Sequence, residues 1–102
     1  MSEQALEIIE VARKTGKLKR GTNEVTKVLE KGEAKFVVVA KDVQPKEIVM
    51  HLAILAREKG VTYAEVEKKA DLGAAAGMPL GAAAVAVIEE GNAKDLIKHY
   101  GG

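Results

Sequence analysis

A chain of 102 residues has room for one modest hydrophobic core and no second. With 47% hydrophobic and 30% charged residues it has the composition of a globular domain and not of a disordered tail. No apolar run nears the roughly 20 residues that span a bilayer, and the absence of cysteine excludes disulfides and thiolate metal sites and points to a reducing, cytoplasmic setting. The polar start Ser2-Glu3-Gln4 carries no secretory pattern. The only aromatics are Phe36, Tyr63 and Tyr100, too few for a platform that binds by stacking several bases. The net charge of +1 hides an asymmetry. Arg13 to Lys31 holds seven cations against two anions, a local +5 that leaves −4 elsewhere.

In chain order, the first helix is expected over Glu3 to Lys14, because Ala5, Ile8, Ile9 and Ala12 form one apolar stripe and Ser2 is a good N-cap. Thr15-Gly16 ends it, and Lys17 to Arg20 is extended. Thr22 is placed as the cap of a second helix that buries Val25, Val28 and Leu29 and stops at Gly32. Phe36 to Ala40 is a β-branched run too short for a helix, which predicts a strand buried on both faces. Gln44-Pro45 opens a third helix with Ile48, Leu52, Leu55 and Ala56 on its inner face. Gly60 follows it, and His51, near that face, reads as a partly buried structural histidine. Val61 to Val66 is a weaker strand, Asp71 to Ala76 a short helix, and Gly77 to Gly81 a loop. Ala82 to Ile88 is another apolar strand. A last helix follows, with Asn92 and Asp95 at capping-box spacing and Leu96, Ile97 and Tyr100 to dock it. The alternation predicts a single α/β domain over residues 1–102, with one sheet and helices on both faces. The alanine-rich stretch from Ala70 to Val87 reads as close helix-on-sheet packing.

No catalytic constellation is visible. His51 and His99 have no ligand spacing, so no metal is expected. Asp42, Glu47 and Asp71 read as caps or turn residues. Gly73 to Gly77 has the glycines of a phosphate loop but no following Lys-Ser or Lys-Thr.

The informative segment is Arg20-Gly21-Thr22-Asn23-Glu24-Val25-Thr26-Lys27. A glycine admits close approach to the backbone, and a helix begins at once with its free N–H groups and positive potential. Asn23, Glu24 and Lys27 share one face of that helix. An anion is out of place in a pure phosphate site but suits a site that reads bases, since a carboxylate accepts from base N–H groups. An ordinary helix start, with Glu24 favouring the macrodipole, remains the plain alternative.

Lys17 through Lys27 resembles the signature loop of the archaeal kink-turn-binding ribosomal proteins, the L-seven-Ae family. The resemblance continues through Gly32 to Ala40, Asp42 to Leu52, Asp71 to Gly77 and Ala82 to Ile88, nearly the whole chain. It implies a three-layer α/β/α sandwich with a small central mixed sheet. It also implies binding, without catalysis or cofactor, to kink-turns, bent duplexes with tandem sheared G·A pairs, in ribosomal RNA or box C/D and H/ACA guide RNA. Ribonucleoprotein partner proteins, a monomeric chain and no membrane contact go with that reading. By resemblance, Asn23, Glu24 and Lys27 meet the sheared guanines, Gly21 and Thr22 let the backbone approach, and Lys19 and Arg20 flank the site. A second RNA loop corresponds to Gly77 to Ala83, where Met78, Pro79 and Leu80 replace an apolar residue with a nearby carboxylate. Pro79 removes a donor, Gln44 stands where an acid is usual, and Ala74 where a charge is common. These departures support an alternative reading, an engineered or diverged scaffold version of the fold with weakened RNA binding.

Overall fold

The computed structural model describes residues 2–100, without the side chain of Ser2. Helix α1 (Ser2–Thr15) is followed by β1 (Lys17–Arg20), α2 (Thr22–Glu30), β2 (Phe36–Ala40), α3 (Glu47–Glu58), β3 (Thr62–Val66), α4 (Lys69–Ala75) and β4 (Ala84–Glu89). A 3-10 turn (Gly91–Ala93) then runs into α5 (Lys94–Lys98). The four strands form one mixed sheet in the order β1-β4-β2-β3. Strand β4 is antiparallel to both β1 and β2, and β3 is parallel to β2.

The period-two alternation of strands divides the core between two faces. Phe36, Val38, Ala40, Val85 and Val87 meet the helical stripe Ala5, Ile8, Ile9 and Ala12 of α1, together with Leu72 of α4 and Ile97 of α5. Val37, Val39, Ala84 and Ala86 face Val25, Val28 and Leu29 of α2 and Leu52 and Ala56 of α3. Every residue of β2 is buried, as its unbroken apolar run requires. Three layers result: α1, α4 and α5 on one side, the sheet, and α2 and α3 on the other. Phe36, the largest fully buried side chain, lies edge-on to Tyr100 at 5.3 Å between ring centroids, which docks α5. Strand β3 interrupts its apolar pattern for a physical reason. Ala64 and Val66 face the α1 side, whereas Tyr63 and Glu65 face the other way, where the Tyr63 hydroxyl donates to Glu65 Oε2 at 3.0 Å. Burial, reinforced by that bond, raises the Tyr63 hydroxyl well above its ordinary pKa.

Four local expectations are corrected. The N-cap of α2 is Gly21, not Thr22, which already lies in the helix. Asn92 lies in the 3-10 turn and caps nothing with its side chain. The N-cap of α5 is Ala93, and the Asn92 amide donates to Thr15 Oγ1 at 2.8 Å. His51 is exposed, one step off the stripe that buries Leu52 and Ala56. Helix α1 begins at Ser2, so the residue that would cap it lies outside the described residues. By contrast, Asp42 does act as a cap across the fold, its Oδ1 accepting from the Lys69 amide at the start of α4 at 2.9 Å.

The alanine-rich stretch packs as closely as expected. A Cβ built on Gly73 would stand 2.2 Å from the Leu80 carbonyl oxygen and 2.9 Å from Gly81 Cα, so the following loop lies directly on α4. We predict that Gly73→Ala lowers stability by about 1–3 kcal/mol through this overpacking, despite alanine's better helix propensity. A urea titration should show a lower midpoint with an unchanged slope. A midpoint at or above that of the parent would show that the loop yields freely.

Candidate functional site

The sheet topology gathers four loops at one end, β1–α2, β2–α3, β3–α4 and α4–β4. This end holds the last residues of β1, β2 and β3 and the first of β4. The β1–α2 turn is bound there because the Gly21 amide donates to the Ala84 carbonyl at 2.9 Å, one step beyond the β1–β4 ladder. The β2–α3 loop enters beside it, with the Ala40 amide donating to Ala83 O at 2.9 Å. The α4–β4 loop ends at Ala83, and β4 starts with Ala84.

Gly21 has φ 97° and ψ 149°, a conformation essentially reserved for glycine. Its carbonyl accepts the first helical bond from Val25 at 3.0 Å, so α2 starts immediately after the strand. A glycine cap has no side chain to offer, and no side-chain cap bond is made. The leading amides of α2 therefore remain available to an external acceptor. Thr22 is held by its own helix, its carbonyl accepting from Thr26 Oγ1 at 2.8 Å. Asn23 is exposed in the first turn. Glu24 and Lys27 form an exposed ion pair, Nζ to Oε2 3.7 Å. The turn thus offers amide, carboxylate and ammonium groups side by side, which suits a ligand that presents both donors and acceptors.

The remaining expected residues are distributed unevenly. Lys19 is exposed on β1. Arg20 is committed to the protein, with its Nε and Nη2 donating to the Ala76 carbonyl at 2.9 and 2.7 Å. Gln44 is exposed in the β2–α3 loop. In the α4–β4 loop, Met78 packs partly into the core, while Pro79 and Leu80 are exposed. Leu80, at 76% exposure, is the most exposed large hydrophobic side chain among the described residues. Lys41, Lys46, Lys68 and Lys69, from the β2–α3 loop and around the start of α4, lie toward the same end. No local sequence pattern connects them to the site, because only the parallel β2–β3 pairing brings their loops together. Lys41 is paired with Glu67 at 3.2 Å. Among the described residues there is no pocket, and no group of three His, Cys, Asp or Glu side chains that could hold a metal ion.

We predict that Gly21→Ala destabilises the protein by about 1–3 kcal/mol. Nothing stands within 4 Å of a Cβ at this position, so the whole cost is conformational. Chemical denaturation measures it, and a neutral substitution would mean that the turn relaxes to another geometry.

Comparison with known proteins places this geometry among relatives. The profile of the ribosomal protein L7Ae/L30e/S12e/Gadd45 family matches residues 3–97. Large ribosomal subunit protein eL8 of Halobacterium salinarum is 54% identical over 98 residues, 96% of this chain and 82% of the relative. The eL8 protein of Haloquadratum walsbyi is 55% identical over 93 residues, 91% of this chain and 78% of the relative. Among solved structures, the Giardia lamblia 15.5kD RNA binding protein superposes with a TM-score of 0.81 at 27% identity, covering 96% of this chain and 84% of that one.

Proposed function

The chain belongs to the ribosomal protein L7Ae/L30e/S12e/Gadd45 family, and on that premise we propose that it is a non-catalytic RNA-binding protein whose β1–α2 turn recognises the sheared G·A pairs of a kink-turn. The observation that carries this reading is the juxtaposition of uncapped helix amides with Asn23, Glu24 and Lys27 on one exposed turn. The names of two relatives point the same way, one a ribosomal protein and the other an RNA-binding protein.

In a sheared pair the guanine uses its sugar edge, leaving its Watson–Crick edge open. Glu24 then accepts from N1–H and Lys27 donates to O6, while Asn23 can do either. The α2 amides and Lys19 serve the phosphates. A protein that makes these contacts only with the bent form shifts the RNA toward it. Ribosomal RNA and guide RNA both offer such motifs. A cytoplasmic ribonucleoprotein, with partner proteins around a monomeric copy of this chain, is the setting that fits.

The discriminating residue is Glu24, because a purely electrostatic RNA site has no use for a carboxylate. Exchanging it for Gln removes a charge-assisted hydrogen bond worth roughly 1.5–3 kcal/mol, against at most about 1 kcal/mol regained from weaker repulsion at an exposed position. We predict weaker kink-turn binding by Glu24→Gln and a smaller effect on a control RNA with its G·A pairs disrupted. Lys19→Ala should weaken both RNAs alike and make the salt dependence shallower. Paired titrations of each variant measure this. Tighter kink-turn binding by Glu24→Gln would reduce the turn to a basic surface with an ordinary helix start.

A further inference from the structure

Arg13 and Arg20 both spend their guanidinium groups on the C-terminus of α4. The last carbonyls of a helix lack partners within it. In α4, two of these orphans are met locally: the Gly77 amide donates to Ala74 O at 3.1 Å, and the Met78 amide to Gly73 O at 2.8 Å. This is a Schellman closure around Gly77 with its φ of 77°. The next two carbonyls have no such solution, and each is met by an arginine from another element. Arg13 Nε, from the last turn of α1, donates to Ala75 O at 3.2 Å. Arg20, the last residue of β1, places two nitrogens on Ala76 O. The Arg13 stem also lies flat on Gly77, where a Cβ would stand 2.7 Å from its Cδ.

These bonds hold the start of the α4–β4 loop. Its far end is held by the Ala82 amide on Lys69 O at 3.0 Å, and its middle rests on Gly73. Leu80 is thereby presented outward from a loop fixed at both ends. Arg20 immediately precedes Gly21, so one residue spans from the base-reading turn to the loop that displays Leu80. We infer that Arg13 and Arg20 are positioning residues that lock the α4–β4 loop against the β1–α2 turn, so that Leu80 and the Glu24 face meet one RNA as a single rigid surface. This rests on the proposed kink-turn reading for its ligand, but not for the lock itself. It also gives Arg20, which the resemblance places beside the base-reading residues, the role of a strut between the two turns.

A double-variant cycle tests the lock, using kink-turn RNA and its G·A-disrupted control. Arg20→Met keeps the stem and removes the fork. It and Leu80→Ala should each weaken kink-turn binding about three- to tenfold, and Arg13→Met, which loses one longer bond, should do so less. The Arg20→Met/Leu80→Ala double variant should bind no more weakly than the worse single, because a released loop no longer presents Leu80. The effects of Lys19→Ala and Leu80→Ala should instead multiply. Amide hydrogen exchange on the free protein supplies the second readout. Gly77 and Met78 should exchange faster in both arginine variants, while Val25 in α2 stays unchanged. Multiplying effects of Arg20→Met and Leu80→Ala, either variant binding as tightly as the parent, or unchanged exchange at Gly77 and Met78 would each overturn the lock. If the parent does not distinguish the two RNAs, the proposed function fails instead, and the exchange experiment alone decides the lock.

Discussion

The pairing of β1 with β4 is the constraint on which the site depends. Strand β1 has only four residues, and its ladder ends with Arg20 opposite Val85. One step further, the Gly21 amide takes the Ala84 carbonyl, and the chain must then turn away into α2. A residue there has to combine an extended ψ with a positive φ, which is why a glycine stands at the join. That glycine leaves the helix without a side-chain cap, so its leading amides stay free. Because β4 begins where β1 ends, the loop feeding β4 arrives at the same place. The two exposed turns share a location through strand antiparallelism alone, before any side chain binds anything.

How much of this was legible in the sequence follows from how local each cause is. The buried β2 strand could be read from Phe36-Val37-Val38-Val39-Ala40, since its burial on both faces leaves no polar position. The inner faces of α1 and α2 could be read from their spacing for the same reason. The caps could not. Thr22 and Asn92 have capping chemistry, but a cap also needs non-helical backbone, and here strand pairing at Gly21 and the contact of the 3-10 turn with Thr15 decide the backbone instead. His51 lies one position off the buried stripe, and about 100° per residue on the helical wheel is enough to carry it from the Leu52 side to solvent. The bonds of Arg13 and Arg20 to α4 join residues 62 and 56 positions apart, and no local pattern announces them.

The same distinction changes the meaning of the charge asymmetry. Counted along the chain, Arg13 to Lys31 is a block of +5. Counted in space, that block disperses. Arg13 and Arg20 are turned to carbonyls, and Lys17 pairs with Glu89 at 3.5 Å at the far end of the sheet. Lys19 is left facing solvent near the turn, while Lys46, Lys68 and Lys69 come toward it from elsewhere in the sequence. An electrostatic footprint for a polyanion is therefore a property of one end of the sheet and not of one segment.

Within that footprint, the small energy of the Glu24–Lys27 pair suits the role that the proposed function gives it. Both side chains are largely exposed, so the pair contributes little to stability, roughly 0–1 kcal/mol. Breaking it to meet a base costs correspondingly little. A tighter, buried pair would hold its geometry better but would have to be dismantled on binding. While it persists, the carboxylate partly neutralises Lys27 and weakens the attraction of the turn for an arbitrary phosphate. A ligand that offers a donor to Glu24 and an acceptor to Lys27 replaces the pair with two charge-assisted bonds, whereas a plain backbone replaces it with one attraction and one repulsion. Under the proposed function, the carboxylate that looks misplaced in a basic turn is the element that separates recognition of a base edge from general affinity for RNA.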